Sequence, residues 1–101
     1  MMIVVSGVFE VDPSSREAAI EAAVTMAGET RKEAGCLSYA FYTDVEDPAR
    51  IRVFEEWESA EALELHFRTA HMAEFRAALG RLQNLSGGVH RYVVTERAPL
   101  R

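Results

Sequence analysis

The stretch from Val53 to His71 constrains this chain more than any other. Apolar and polar residues alternate through Val53-Phe54-Glu55-Glu56-Trp57, the period of a strand. After Ser59 the spacing becomes helical, with Leu63, Phe67 and Ala70 on one stripe and His66 among them. A strand delivering the only Trp therefore runs into a helix delivering two of the three His. Glu55 shares a strand face with Val53 and Trp57, so its carboxylate points to an apolar side and needs a partner or a proton.

The rest of the chain supplies what such a unit packs against. Ile3 to Val11 reads as a strand with Ile3, Val5, Phe9 and Val11 on one face and Ser6 and Glu10 on the other. Gly7 interrupts that face, as a bulge or as a place where another group approaches the backbone. Asp12-Pro13-Ser14-Ser15 stops the strand, and Ser14 with Glu17 has capping-box spacing. A helix is expected from Ser15 to Glu33, its inner stripe formed by Ile20, Ala23, Val24, Ala27 and Arg31, with Gly35 closing it. Cys36 to Thr43 is a second strand with Leu37, Tyr39 and Phe41 on one face. The turn containing Asp47-Pro48 joins it to a third strand, Ile51 to Trp57, as an antiparallel hairpin.

Ser59 caps the next helix, and Glu64 with Arg68 forms an outer i,i+4 pair. Thr69 resembles a further cap. His71, Phe75, Leu79 and Leu82 then predict a second short helix ending at Gly80. Gln83 to Gly88 is expected as a loop and Val89 to Thr95 as the last strand. The order is β-α-β-β-α-β with the second α split. In 101 residues this is α+β, ferredoxin-like: one domain with a four-stranded antiparallel sheet and its helices on one face. The other face keeps Tyr42, Phe54 and Tyr92, and a bare apolar sheet face asks for a partner, most simply a second copy.

Composition narrows the function classes. At 49% hydrophobic and 27% charged the chain is of globular type. A net charge of −5 without a Lys/Arg cluster argues against nucleic acid and against anionic lipid. The apolar start, Met1 to Val5, has no basic residue before it and acids soon after, so it reads as a strand and not a signal peptide. No run approaches a membrane span. The single Cys36 precludes an intrachain disulfide and a Cys-based zinc site, and fits a reducing, cytoplasmic setting.

Three pieces carry a resemblance: Glu33-Ala34-Gly35-Cys36-Leu37-Ser38-Tyr39, then Phe54-Glu55-Glu56-Trp57-Glu58-Ser59, then Ala62 to His71 with Phe75 behind it. In this order they resemble the antibiotic biosynthesis monooxygenase (ABM) domain family, from about Ile3 to Val94. The resemblance implies a dimeric α+β barrel, with two sheets packed face to face, over a single domain with its core at residues 3–96. It places the family's Glu-x-Trp on Glu55 and Trp57 and its helix His pair on His66 and His71. The residue between those His, often Pro in the family, is Ala70. Relatives include monooxygenases that oxidise quinols or anthrones with O₂ and no metal or flavin, haem-degrading enzymes, and an isomerase of a phosphorylated signal molecule. The haem branch has Asn on the first strand, Trp on the second helix and a later His; Ser6 and Gly7, His66 and Arg76 stand there instead, which counts against haem.

The resemblance makes His66 the candidate acid/base and Glu55 its orienter, with Trp57, Tyr39, Phe41, Phe67 and His71 around a small aromatic substrate. Each has a plainer reading. His66 can be a core His bonded to a carbonyl or to Glu55, and the aromatics can be core anchors. His71 follows His66 by five residues, about 140° round a continuous helix, so the two converge only if the helix breaks near Thr69. H-x₄-H is not the i,i+4 zinc pair and no third ligand is evident, so no metal and no cofactor is expected. The alternatives to a cofactor-independent monooxygenase are a non-catalytic dimeric module binding a hydrophobic metabolite, favoured if the cavity is packed shut, and an isomerase of a small oxygenated metabolite, which would want Arg31, Arg52 or Arg91 at the pocket mouth.

Overall fold

A computed structural model describes residues 1–84 and 88–101, with side chains left undescribed at 81–84. Strand β1 (Met2–Val11) is followed by a 3₁₀ turn (Pro13–Ser15) and α1 (Arg16–Thr30). The hairpin β2 (Cys36–Thr43) and β3 (Arg50–Trp57) comes next, then α2 (Ala60–His66) and α3 (Ala70–Leu82). A two-residue strand β4 (Gln83–Asn84) and β5 (Val89–Val94) complete the order. The main sheet runs β2-β3-β1-β5, every pairing antiparallel, with β4 alongside the end of β1 at Glu10 and Val11. This is the ferredoxin-like α+β fold, three helices on one face of the sheet.

Strand alternation decides what faces the helices. Ile3, Val5, Phe9 and Val11 of β1 are buried, as are Ile51, Val53, Glu55 and Trp57 of β3. The opposite face carries half-buried Phe54 and exposed Tyr42 and Tyr92. Gly7 is a close approach and not a bulge: it keeps register between Val53 and Val89, and a Cβ there would lie 2.4 Å from Val89 Cγ2.

Several local details differ from the sequence expectation. The stripe of α1 is Ala19, Ala23, Met26, Ala27 and Thr30, while Val24 is exposed. The helix packs against α3 as well as β2, so its buried arc is turned toward α3. Asp12, not Ser14, caps the entry: its Oδ1 accepts from the Ser14 backbone N–H and from the Ser14 hydroxyl. Helix α1 ends at Thr30, and Gly35, at φ 84°, turns the chain into β2. A register shift between Cys36 and Ser38 puts Leu37 out to solvent while Tyr39 stays buried. Glu64 pairs with Arg91 at 3.3 Å. Helix α3 continues past Gly80 to Leu82, Gln83 and Asn84 are strand, and residues 85–87 of the expected loop lie outside the described residues.

Candidate active site

The break between α2 and α3 builds the site. Ser59 caps α2, its hydroxyl accepting from the Ala62 N–H. At the other end Thr69 Oγ1 donates to the His66 carbonyl and accepts the Met72 N–H. One hydroxyl thus closes α2 and opens α3. The bend turns His71 back toward His66, with ring centroids 6.0 Å apart. The two His converge, as only a break near Thr69 allows.

They converge on a residue that sequence reasoning missed. Glu33 Oε2 lies 2.7 Å from His66 Nδ1 and 2.6 Å from His71 Nε2. Glu33 sits just beyond α1, its backbone pinned by its N–H donating to the Thr30 carbonyl and its carbonyl accepting from Cys36. A carboxylate past a helix C-terminus opposes the helix dipole, so it needs a compensating partner; that was the available signal. Glu33, His66 and His71 have ligating atoms within 4.8 Å of one another. Glu33 is thus the third group that the sequence did not show beside the His pair, and the same spacing lets one of its oxygens accept from a ring N–H of each His.

His66 is fully buried. Its ring lies 4.8 Å from that of Trp57, 5.7 Å from Tyr39 and 5.9 Å from Phe67. Burial holds its pKa below the ordinary histidine value, opposed by the hydrogen bond and charge of Glu33 and assisted by the charges of His71 and Arg76. A neutral imidazole that can accept a proton is the state this favours.

Glu55 does not hydrogen-bond His66. Its Oε1 accepts the Trp57 indole N–H at 2.9 Å, because residues two apart on β3 share a face. Burial pushes the Glu55 carboxyl up to about 7, against the Trp57 hydrogen bond and with help from the Glu33 charge. The same burial raises the Tyr39 phenol far above its usual value and the Cys36 thiol to about 11, so neither supplies an anion near neutrality.

Both His66 and Glu55 line a cavity of about 360 Å³ between the sheet and α2–α3. Tyr39, Phe41, Phe67 and Phe75 form its aromatic walls, and Arg76 and Arg91 bring positive charge to it. Tyr39, Phe41 and Phe67, expected from the sequence around a substrate, are thus cavity-lining residues. Trp57 does not line the cavity; it packs behind His66, because the end of β3 lies under α2. Nor does His71. It opens on a separate outer cleft between α1 and α3, because the bend at Thr69 sets it beyond Glu33.

Comparison with known proteins agrees with this architecture. The family model described as antibiotic biosynthesis monooxygenase matches residues 2–78. An uncharacterized protein of Synechocystis sp. is 38% identical over 73 residues, covering 72% of this chain and 50% of that protein, so the chain spans half the length of this curated relative. A solved structure from Mycobacterium tuberculosis superposes with a TM-score of 0.89 at 27% identity, covering 98% of this chain and 100% of that one. A crystal structure of an antibiotic biosynthesis monooxygenase reaches 0.84 at 24% identity, covering 95% of this chain and 100% of that one, a likeness of fold. With the match spanning both strands of the hairpin, the helix break and both His, the chain belongs to the antibiotic biosynthesis monooxygenase family.

Proposed function

We propose that the protein is a monooxygenase that oxidises a small aromatic quinol or anthrone-like substrate with O₂ and without a cofactor. One observation carries this reading: an aromatic-walled cavity of about 360 Å³ is lined by a neutral-favoured His66 and by a Glu55 carboxyl near 7. Apolar walls with a few convergent polar groups and perturbed acids suit a flat hydroxyarene.

The chemistry balances on those two groups. His66 takes the hydroxyl or benzylic proton, leaving an electron-rich anion. The anion passes one electron to O₂, and the resulting radical and superoxide combine, forming a C–O bond. Loss of a second proton from that carbon, with proton return to the distal oxygen, breaks the O–O bond and releases water, leaving a carbonyl. The substrate loses two hydrogens and gains one oxygen. Glu55, protonated over part of the neutral range, is the group placed to return the proton. The largely apolar walls strengthen these interactions once substrate fills the cavity.

The helix-free sheet face, with Phe54, Tyr42 and Tyr92, supports a homodimer closed through that face. The free Cys36 suits a cytoplasmic setting.

The test is O₂ uptake with a panel of quinols and anthrones in the presence of a metal chelator. Uptake that falls by about 10²–10⁴-fold in His66→Ala supports the reading. Uptake unchanged by that substitution removes His66 from the chemistry, and no uptake across a broad panel counts against oxidation. A second reading has its own observation. Arg91, one of the three cations expected of an isomerase, lines the cavity beside Arg76 while pairing with Glu64. Of the other two, Arg31 donates to the Tyr39 carbonyl and Arg52 to Ser6. An isomerase of a small anionic metabolite would turn over without consuming O₂. The open cavity gives no support to a pocket packed shut.

A further inference from the structure

We infer that Glu33 is the positioning residue of this site: it locks His66 as the Nδ1–H tautomer with Nε2 as the basic atom, and, by sharing the same oxygen with His71, it lets a proton taken up from the outer cleft weaken that base. The inference rests on the proposed role of His66, but the behaviour of the three side chains can be read without any substrate.

The geometry is specific. A neutral imidazole has one N–H and one lone pair, and the partner of one nitrogen fixes the state of the other. His66 Nδ1 faces a carboxylate oxygen at 2.7 Å, so Nδ1 carries the hydrogen and Nε2 the lone pair. With the ring held between Trp57, Tyr39 and Phe67, moving the hydrogen to Nε2 would leave the Glu33 carboxylate and the buried Nδ1 with opposed lone pairs.

The second bond adds a control. His71 Nε2 donates to the same Oε2 at 2.6 Å, and the other edge of the unit reaches a cleft of about 500 Å³ lined also by Glu21, Glu74, Met26 and Phe75. One carboxylate can fully compensate one added proton. A proton on His71, at the cleft that Glu21 and Glu74 also line, therefore draws on the same oxygen as a proton on His66, which faces Arg76 and Glu55 across the cavity. The two imidazoles are joined through one oxygen, so a charge on either is felt by the other. Glu33 is thus placed to hold and tune the base without touching the substrate.

The experiment is a ¹⁵N-histidine NMR titration of the full chain, wild type against Glu33→Gln, Glu33→Asp and His71→Gln. The expected result is a wild-type His66 protonated at Nδ1 when neutral. In Glu33→Gln the tautomers mix and the His66 midpoint falls by about one pH unit, a tenfold change in the base-to-acid ratio. Glu33→Asp, which keeps the charge, restores most of that midpoint. His71→Gln keeps an N–H donor near the Nε2 position but cannot be protonated, and the His66 midpoint rises. A wild-type His66 protonated at Nε2, or a midpoint indifferent to Glu33→Gln in a variant that still melts cooperatively, overturns the inference. Equimolar Zn²⁺ added to chelator-treated protein should leave both His signals in place; their joint collapse at one equivalent would make the cluster a metal centre and overturn it equally. Should the titration behave as inferred while no quinol or anthrone is oxidised, only the reaction assigned to the site fails. Oxidation without the Glu33 dependence would leave the reaction standing and remove the positioning role.

Discussion

The Trp57 indole N–H donates to the carboxylate of Glu55, two residues back on the same buried face of β3, at 2.9 Å. This single bond is the hydrogen bond that the structure gives a carboxyl with only 6% of its surface exposed. A donor on one side compensates the charged form only in part, which is why burial prevails and the carboxyl is held near 7.

A pH dependence of stability follows. The Glu55 pKa is raised, so the folded state binds its proton more tightly than the unfolded state does. Stability is then full below the unfolded value of about 4.5 and falls as pH rises toward 7, where the penalty reaches about 3 kcal/mol. Glu55→Gln keeps an acceptor for Trp57 and abolishes that slope. Urea denaturation at pH 5 and pH 8 should show the variant gaining on wild type only at pH 8; an equal difference at both values would mean Glu55 titrates normally.

His66 acts at the acid end. Its pKa is lowered, so the folded state resists protonation, and stability is lost as pH falls from the unfolded value of about 6.5 toward the folded one. His66→Gln, uncharged throughout, should flatten the stability profile below pH 6.5. A profile that stays as steep would place the acid sensitivity elsewhere.

Thr69→Val removes the hydroxyl that closes α2 and opens α3 while keeping the shape of the side chain. The loss of the cap should cost about 1 kcal/mol. Because the bend aims His71, the variant should also loosen the His71–Glu33 bond, seen as a change in the His71 ring ¹⁵N signals. A stability loss with His71 unmoved would show that packing of α3 alone sets the bend.

Gly7→Ala tests the seam between β1 and β5. The new Cβ would meet Val89 Cγ2 at 2.4 Å and Val89 Cα at 2.7 Å, so side-chain rotation cannot relieve the clash and the strand must shift. Overpacking of this kind costs about 1–3 kcal/mol. Hydrogen exchange should accelerate at Val89 to Val94 before the rest of the sheet. Uniform acceleration would show that β5 unfolds only with the whole domain.

Trp57→Phe removes the N–H and leaves the Glu55 carboxylate without that donor. Beyond a packing loss of about 1–3 kcal/mol, the Glu55 pKa should climb further, readable by the shift of the pH 5 to 8 stability slope toward higher pH. An unmoved slope would mean that a solvent path satisfies Glu55.

Period two in β1 and β3 and helical spacing after Ser59 were enough to write the fold from the residues, because local geometry alone sorts side chains between two faces. By the same logic Glu55 and His66 were legible as buried polar residues, and Tyr39, Phe41 and Phe67 as an aromatic wall. The arc that α1 buries was not legible, since Ala19 and Met26 are chosen over Val24 by a third element, α3. Leu37 was misplaced because a bulge shifts its phase without leaving a Pro or a run of Gly to mark it. Glu33 was missed for a simpler reason. It lies 33 residues before His66 and 38 before His71, and no periodicity links a turn after α1 to a break between α2 and α3. The sequence by itself determined which faces are apolar and where the helix could break; only the tertiary structure decided that this break brings two imidazoles to one carboxylate oxygen, because hydrogen bonds between distant elements are made by packing and not by spacing.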